Sequence, residues 1–502
     1  MIPVALVLGA FALRLYAALV PGIIVPDGVL YIDTAKMIMA GQWQQITERG
    51  IYSIYPLLIV VFQKVFTEWE TAGRMVSVAF GSLAVLPFYF IIRRIFDVRI
   101  ALVAASFFVI SPRLVEYSSN VIREPVSWFF SLAALWVAEE AIHKRQWLLM
   151  VPAAFFVGLA AFTRMEGIVV AGIIILWIWW YCRKEKTFSR RTFLSLSLVF
   201  VISFPVLFFP PLLALKNRLG QWELGHIGSK IPRILKANSD GVAETFRKEL
   251  NESDVVSRAV SDNKYALFLW QAVYKFLRSY HVLFIFLFII GVTRRKVIPW
   301  ESREVFVLIW WSAFFLVSLL YVSKIYYLST RHGMLMSIPA LVWVSIGFYE
   351  LSDVIENTMR RFVFLQRYKG RLVVVTFVVI CLIVLPKALT WSGYDKVEMK
   401  EAGVYLKKLG YSKKKIALES RLSRLGFYAD ADFFVIPEGV DHDDLEEFLL
   451  SNHIAYVVID EKVAEKSFGS GITAGMTRID TPELDTFKEY SFRLFKTGIS
   501  EK

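Results

Sequence analysis

Apolar runs of about twenty residues recur along most of this chain, and they constrain its fold more than any other feature. Charged residues are confined to short clusters between these runs, 56% of the 502 residues are apolar, and the mean hydropathy is +0.52. Inside a bilayer every backbone amide needs a partner within the chain, and runs of this length provide one only as α-helices. A membrane β-barrel would instead show short strands of alternating polarity. The sequence therefore predicts an α-helical polytopic membrane protein.

About eleven of the runs are predicted to span the membrane. The predicted spans are residues 2–25, 72–92, 100–111, 125–143, 147–162, 167–183, 193–215, a span that ends at 294, 304–322, 331–359 and 372–390. A further run, residues 54–65, is too short to cross about 30 Å of hydrocarbon at about 1.5 Å per residue, so we expect it along the interface. Residues 265–280 carry apolar side chains at helical spacing and form either an interfacial helix or the first part of the eighth span.

Basic clusters set the predicted orientation. Lys and Arg concentrate in the loops after spans two, four, six, eight and ten, and such loops are cytoplasmic by the positive-inside rule. The amino terminus is then cytoplasmic and the carboxyl terminus extracytoplasmic, and Asp27, Glu124, Glu166 and Arg331 lie at the outer face. Ionisable residues gathered at one face of a bundle indicate a functional site. The surplus of Lys and Arg that gives the net charge of +13 lies in the short loops between the apolar runs. This surplus is explained by the orientation of the spans and does not indicate a nucleic-acid partner.

A change in composition near residue 391 divides the chain. We expect a transmembrane domain over residues 1–391, with external loops at 26–70 and 216–264, and a soluble extracytoplasmic α/β domain over residues 392–502. Its expected strands lie near residues 415–418, 433–436 and 455–459. No small-residue cleavage signal follows the first run, so that run is expected to be a retained span. Cys182 and Cys381 indicate neither a disulfide nor a Cys-based metal site.

Two acids at predicted external helix starts are candidate catalytic residues. Asp27 follows the first apolar run at once, where a carboxylate suits a general base but could also only cap the next helix. Glu124 follows Arg123 before the fourth span. It could orient an acceptor, hold a divalent cation together with Asp27, or only pair with Arg123 or Arg113.

The stretch that begins with Asp27 resembles a known family. Asp27-Gly-Val-Leu-Tyr31-Ile-Asp-Thr-Ala35 followed by Gly41-Gln-Trp43 is similar to the first external loop of the GT-C glycosyltransferases, in the branch that contains the protein O-mannosyltransferases and the lipid A aminoarabinose transferase. Further matches follow in the family's order at residues 72–77, 89–99, 123–125 and 163–167, and at Arg331 with Pro339 downstream. The resemblance covers most of the chain and implies a GT-C-like fold with a carboxyl-terminal α/β domain.

Two departures from the family pattern restrict this resemblance. Gly28 stands where the family commonly has a second acid. Leu30 precedes Tyr31 where the aminoarabinose transferase has an arginine, and Ser-Ile-Tyr-Pro at residues 53–56 occupies the place of its Lys-Pro-Pro. The resemblance therefore implies transfer from a polyprenyl-phosphate sugar in general and not aminoarabinose transfer in particular.

The implied reaction moves a sugar from a polyprenyl-phosphate donor to a hydroxyl or phosphate of a protein, lipid or glycan outside the membrane. The lipid phosphate is a good leaving group, so the reaction needs a base for the acceptor and a cation for the departing phosphate. Asp27 would be the base, alone or with Glu124 as its second carboxylate, and the family implies inversion at the anomeric carbon. The expected location is a bacterial inner membrane or an archaeal plasma membrane.

Residues that would bind the donor's phosphate or sugar are Arg331, His332, Tyr31, Arg164, Glu166 and Arg74. Arg331 resembles the family's phosphate-contacting arginine, although an arginine that only snorkels at a helix end is an equal alternative. Arg164 and Glu166 could instead form a local structural pair, Arg74 has the same alternative, and His332 could be only an interfacial side chain. Whether the site binds a Mg²⁺ or Mn²⁺ ion is left open, since Asp27 and Glu124 supply only some of the oxygen ligands that such an ion needs.

Two other classes of function remain as alternatives. A transporter or lipid flippase would also have many spans and charged residues in the bundle, but transporters tend to show related halves with broken helices near the midplane. Here the ionisable residues lie at one rim and an external domain follows. A non-catalytic receptor or assembly scaffold would use the α/β domain for binding.

Overall fold

A computed structural model of the chain describes residues 1–20, 22–49, 53–184, 190–219, 264–325, 328–359, 371–390, 397–437, 442–462 and 475–499. These residues form two compact units. The membrane unit comprises Met1–Leu19 and Thr34–Thr390, and the carboxyl-terminal unit comprises Val20–Asp33 and Trp391–Lys502. Residues 220–263 of the predicted second external loop lie outside the described part of the chain.

Helices account for nearly all the regular structure of the membrane unit. In chain order they are α1 Ile2–Leu19, α2 Pro26–Met39 (which begins in the other unit), α3 Trp43–Arg49, α4 Ile54–Gln63, α5 Trp69–Leu83, α6 Val85–Ile95, α7 Val98–Ile110, α8 Pro112–Ser118, α9 Glu124–Lys144, α10 Met150–Thr163, α11 Val169–Lys184, α12 Arg190–Leu219, α13 Lys264–Arg278, α14 Val282–Thr293, α15 Glu304–Ile325, α16 Thr330–Met359 and α17 Arg371–Leu389. Each of the predicted spans overlaps one of these helices or a consecutive pair, but α1 ends at Leu19, before the predicted end of the first span at residue 25.

Seven helices in the described part of the chain are long and apolar enough to cross a membrane, or up to nine if each of two bent pairs is one span. The prediction of about eleven spans also included α9 and α10. Adjacent Glu139 and Glu140 lower the hydropathy of α9, and the apolar helix at Trp147–Thr163 is shorter than a typical span. The helical, polytopic class is confirmed.

Two pairs of consecutive helices in the membrane unit meet at a sharp bend. Helix α7 ends before Ser111, whose backbone is non-helical (φ −59°, ψ 120°) because the next residue is a proline. Helix α8 then runs at 56° to α7. Helices α13 and α14 meet at 112°. Residues 265–278 therefore form a separate helix and do not continue α14 in a straight line, and both predicted alternatives for them stay open.

Glycine residues allow α14 and α16 of the membrane unit to cross at close range. A Cβ atom added at Gly291 in α14 would lie 1.8 Å from the Trp343 carbonyl oxygen of α16, and one added at Gly347 would lie 1.8 Å from the Leu287 carbonyl oxygen. Aromatic side chains fill the space nearby, with ring centroids of Phe107 and Phe284 4.9 Å apart. Backbone contact at glycine is a common way to pack helices where lipid supplies no hydrophobic driving force.

The carboxyl-terminal unit is a small α/β domain, as predicted. Its elements are α18 Val397–Leu406, β1 Lys415–Leu418, α19 Ser423–Tyr428, β2 Asp432–Val435, α20 His442–Ser451, β3 Tyr456–Asp460, β4 Thr477–Ile479 and β5 Phe492–Lys496. The strand order is β2-β1-β3-β5-β4, with β1 parallel to both neighbours and β5 antiparallel to both of its own. The three predicted strands correspond to β1, β2 and β3, whereas β4 and β5 were not predicted.

Candidate functional site: a buried ion-pair cluster

Helix ends bring five of the predicted site residues together in the membrane unit. Glu124 is the first residue of α9, where an acid is favoured by the helix dipole and Pro125 fits the first turn without losing a hydrogen bond. Arg164 caps the carboxyl end of α10 in an extended conformation (φ −148°, ψ 135°), and Glu166 follows in a 3-10 turn. Arg331 and His332 lie in the first turn of α16.

Arg164 joins the two carboxylates of this cluster. One terminal nitrogen of its guanidinium donates to Glu124 Oε1. The other lies 2.8 Å from Glu166 Oε1, and Nε lies 3.4 Å from Glu166 Oε2. The local pair between Arg164 and Glu166, which the sequence analysis gave as an alternative, is therefore present. Arg164 also pairs with Glu124, forty positions earlier in the chain.

The first turn of α16 contacts both ends of this ion-pair chain. Arg331 Nη1 lies 3.8 Å from Glu124 Oε1, and His332 Nε2 lies 3.5 Å from Glu166 Oε1. Glu124 is therefore shared by two arginines. Of the alternative partners predicted for Glu124, Arg113 pairs with Glu116 at 2.6 Å.

Burial makes these contacts energetically significant. Glu124 and Arg164 are 2% and 7% exposed, whereas the Arg331 side chain retains 32% of its surface. A buried ion pair adds little net stability, because both charges lose their hydration, but removing one member leaves an uncompensated charge and is strongly destabilising. The cluster thus has a rigid buried half around Arg164 and a half-exposed cation at Arg331.

Two acceptor atoms of the cluster are buried without a hydrogen-bond partner among the described residues. They are Glu124 Oε2 and His332 Nδ1. Buried polar atoms in folded proteins nearly always have a partner, so each such atom calls for one outside the described protein atoms, such as a water molecule or a ligand hydroxyl.

A small cavity of about 10 Å³, room for about one water molecule, adjoins His332 and Glu166. Its remaining walls are Phe314, Val317, Ser318, Tyr321, Leu328 and Leu335. The rings of Tyr321 and His332 lie 4.6 Å apart at 34°. Sequence reasoning missed Tyr321, because its position near the end of α15 resembles that of any interfacial tyrosine.

Side-chain hydrogen bonds support the turn that presents Glu124. Ser77 Oγ lies 2.9 Å from the carbonyl oxygen of Ile122, two residues before Glu124, and 2.9 Å from the hydroxyl of Tyr55. Tyr55 is fully buried, and its hydroxyl also lies 2.9 Å from the carbonyl oxygen of Gly73. Tyr55 belongs to the Ser-Ile-Tyr-Pro sequence that departs from the aminoarabinose transferase pattern. In this protein its hydroxyl helps to hold the turn before Glu124 through Ser77.

The structure places Arg74 in a second buried network. Its guanidinium makes contacts of 2.7 and 3.0 Å with Glu70 Oε1 and of 3.2 Å with the carbonyl oxygen of Ala18. A further carbonyl oxygen, that of Ser119, lies 3.5 Å away. These contacts join three segments of the membrane unit, as expected of the structural alternative, and donor binding by Arg74 stays a prediction.

Asp27 and Tyr31 lie in the part of α2 that belongs to the carboxyl-terminal unit. Asp27 is in the first turn of the helix and is half-buried, and Tyr31 is 5% exposed. The roles predicted for both stay predictions.

A divalent cation finds only a partial set of ligands among the described residues. No group of three or more His, Cys, Asp or Glu side chains there is arranged to hold a metal ion. Oε1 of Glu124 is already neutralised by arginines, which leaves Oε2 as the one oxygen it could offer. These residues do not by themselves make a complete metal site.

Residues 54–209 match the model of a family described as dolichyl-phosphate-mannose-protein mannosyltransferase. The matched segment includes Glu124, Arg164 and Glu166 and ends before Arg331. No curated protein matches the chain significantly in sequence.

Solved structures of GT-C glycosyltransferases have a similar fold. The oligosaccharyltransferase of Archaeoglobus fulgidus in its apo form is 12% identical, with a TM-score of 0.59 over 96% of this chain and 73% of the other. The same enzyme in complex with zinc and sulfate is 15% identical, with a TM-score of 0.57 over 96% and 72%. ArnT from Cupriavidus metallidurans bound to undecaprenyl phosphate is 13% identical, with a TM-score of 0.57 over 98% and 97%.

These comparisons confirm the predicted resemblance to the GT-C glycosyltransferases and the predicted fold class. The chain is a multi-pass membrane protein with the GT-C fold.

Proposed function

We propose that this protein is a glycosyltransferase that moves a sugar from a polyprenyl-phosphate donor to an acceptor hydroxyl or phosphate at the outer face of the membrane. The observation that carries this proposal is the ion-pair cluster, in which a half-exposed Arg331 lies beside the buried Glu124 at the ends of apolar helices. The cluster offers a cation for a lipid phosphate at helix ends that are predicted to lie at the outer face of the membrane.

Arg331 is the residue that would bind the donor phosphate. Its planar guanidinium can donate two parallel hydrogen bonds to phosphate oxygens and keeps its charge at any physiological pH. Glu124 Oε1, at 3.8 Å, restrains the guanidinium, and Arg164 in turn fixes Glu124. As the sugar departs, negative charge grows on the phosphate, and a cation already in place stabilises it without reorganisation.

Asp27 is the proposed general base, and this role rests on the resemblance of its loop to the family. The carboxylate takes the proton from the acceptor as the acceptor oxygen forms a bond to the anomeric carbon. The bond between that carbon and the phosphate oxygen breaks, and its electron pair leaves with the lipid phosphate. Attack from the side opposite the phosphate inverts the anomeric carbon.

The donor class has support from both comparisons. The matching family is described by a dolichyl-phosphate-linked mannose donor, and ArnT was crystallised with undecaprenyl phosphate. Two unpartnered acceptor atoms, Glu124 Oε2 and His332 Nδ1, suit a ligand that brings hydroxyl groups, as a sugar does. An acceptor on the outer side agrees with the predicted orientation in a bacterial inner or archaeal plasma membrane.

A donor comparison in proteoliposomes tests this proposal. The purified protein is given radiolabelled polyprenyl-phosphate mannose, polyprenyl-phosphate glucose or a nucleotide sugar, with a membrane extract as the source of acceptor. We expect label to move to the acceptor from at least one lipid-linked donor and not from the nucleotide sugar. Transfer from the nucleotide sugar alone would contradict the donor class, and movement of the labelled lipid across the bilayer without transfer would favour a flippase.

A further inference from the structure

Residues 20–33, which connect α1 to the rest of the chain, fold with the carboxyl-terminal α/β domain. Ile23 is 2% exposed and belongs to the same core cluster as Met399, Ala402 and Leu425 of that domain. A residue near the amino terminus is thus part of the core formed by the last hundred or so residues of the chain.

Two polar side chains of the domain hold the backbone beside Ile23. The amide of Ile24 donates a hydrogen bond of 2.8 Å to the hydroxyl of Tyr428, and Ile24 is fully buried. Lys400 Nζ donates to the carbonyl oxygen of Gly22 at 3.3 Å and lies 5.0 Å from the centre of the Tyr428 ring. The hydrogen bond to Tyr428 satisfies a buried amide that α2 itself cannot satisfy, because Ile24 precedes the helix.

The held backbone leads directly into Asp27. The carbonyl oxygen of Val25 accepts hydrogen bonds from the amides of Gly28 (2.9 Å) and Val29 (3.4 Å), so Val25 closes the first turn of α2. Pro26, the first residue of the helix, has a fixed φ. Val25 and Pro26 alone separate Ile24 from Asp27, so we expect a displacement of Ile24 to move the start of α2 and Asp27 with it.

We propose that the carboxyl-terminal domain is a positioning domain for Asp27, and that Tyr428 and Lys400 are the positioning residues that act through it. This inference rests on the proposed function, since it assumes that Asp27 is the base. It assigns the domain a task in the reaction that is independent of binding an acceptor. The contacts that hold Gly22 and Ile24 lie within the carboxyl-terminal unit.

Tyr428→Phe is the direct test, and Tyr405→Phe is its matched control. The substitution at Tyr428 keeps the ring and removes the hydroxyl that accepts from Ile24. Tyr405 packs against the same core. Two readouts are compared for the full-length protein in proteoliposomes: kcat and KM with the lipid-linked donor, and hydrogen exchange of the peptide that covers residues 22–30.

We expect Tyr428→Phe to lower kcat about ten- to a hundredfold, the effect of a small misplacement of a catalytic group, with donor KM within twofold of the wild type. Amide exchange at residues 22–30 should become faster, whereas Tyr405→Phe should change neither readout. Lys400→Met, which removes the second contact without a change in the core, should act in the same direction and keeps the test informative if Tyr428→Phe folds poorly.

Different results would overturn the proposed sugar transfer and the positioning role of the domain. A wild-type protein that transfers no sugar from any lipid-linked donor overturns the proposed function. An active wild type in which Tyr428→Phe and Lys400→Met match Tyr405→Phe overturns the positioning role alone. Faster exchange at unchanged kcat overturns it as well, because the domain would then order the segment without affecting the reaction.

Discussion

Arg331 and Arg113 are arginines of similar side-chain exposure, 32% and 29%, and each lies near a carboxylate. Arg113 lies 2.6 Å from Glu116, whereas Arg331 lies 3.8 Å from Glu124. We expect Arg331→Lys to lower kcat/KM for a polyprenyl-phosphate sugar by about ten- to a hundredfold, because lysine cannot donate two parallel hydrogen bonds to a phosphate. Steady-state kinetics in proteoliposomes measures the effect.

Arg113→Lys is the control for that experiment. It should leave kcat/KM within about twofold of the wild type, since Arg113 pairs with Glu116 and makes no proposed contact with the donor. Equal losses for the two variants would show that Arg331 has no special relation to the donor.

Arg164 is expected to matter for stability as well as for activity. Arg164→Met keeps the length of the side chain but leaves Glu124 and Glu166 without their shared cation, so we expect a loss of about 3–5 kcal/mol in the free energy of unfolding. Arg99→Met removes an exposed pair with Asp97 and should cost less than about 1 kcal/mol. Denaturation of both variants in detergent compares them, and similar midpoints would contradict the burial argument.

Sequence patterns predicted the members of the ion-pair cluster but not its connections. Glu124, Arg164 and Arg331 were identified because each is an ionisable residue at the predicted outer end of an apolar run and matches the GT-C family's order. That Arg164 bridges Glu124 and Glu166 depends on how α9 and α10 pack, and no local pattern encodes this. Tyr321 gave no signal, because only the tertiary fold places it against His332.

At the scale of elements, α5 supports the start of α9 through a serine. Ser77 Oγ lies 2.9 Å from the carbonyl oxygen of Ile122, and the turn at Ile122 leads into Glu124. Ser77→Ala should lower kcat about three- to tenfold, since a net hydrogen bond contributes about 0.5–1.5 kcal/mol. The readout is turnover with the lipid-linked donor.

Ser82→Ala on the same helix is the matched substitution. Ser82 is also buried, but its hydroxyl donates to the carbonyl oxygen of Val78 within its own helix. We expect normal turnover for this variant. If both variants lose activity to the same degree, the effect belongs to α5 as a whole and not to the support of Glu124.

The positions of most helices could be predicted from the sequence, whereas the bends between them and the contacts that pair them could not. Apolar runs fix where a membrane helix can lie, and Pro112 marks the end of α7. No proline or glycine lies at the 112° turn between α13 and α14, so the local sequence does not predict it. It depends on what each helix packs against, which is a tertiary property.

At the scale of the whole molecule, the basic loops predict an extracytoplasmic carboxyl-terminal domain. In a variant with Cys182 and Cys381 replaced by alanine, Ser451→Cys should react with a membrane-impermeant maleimide added to right-side-out vesicles. Gln146→Cys, exposed in a predicted cytoplasmic loop, should react only after permeabilisation. The reverse pattern would contradict the predicted orientation.

Composition predicted two domains, but it did not predict that residues 20–33 fold with the second one. Ile23 and Ile24 continue the first apolar run, and nothing in their local sequence distinguishes a membrane residue from one buried in a distant α/β core. The strands β4 and β5 were missed because β4 has only three residues and β5 interleaves basic and apolar residues. In both cases contacts between segments far apart in the chain decide the structure.

Sugar transfer by Asp27→Asn, measured beside Asp33→Asn in the same proteoliposomes, tests the proposed function most directly. Both variants replace an aspartate of α2 by its isosteric amide, and only Asp27 is proposed to accept the acceptor's proton. We expect transfer from the lipid-linked donor to fall at least a hundredfold for Asp27→Asn, with donor binding retained, and to remain near the wild-type rate for Asp33→Asn. Undiminished transfer by a folded Asp27→Asn protein would contradict the assignment of the base.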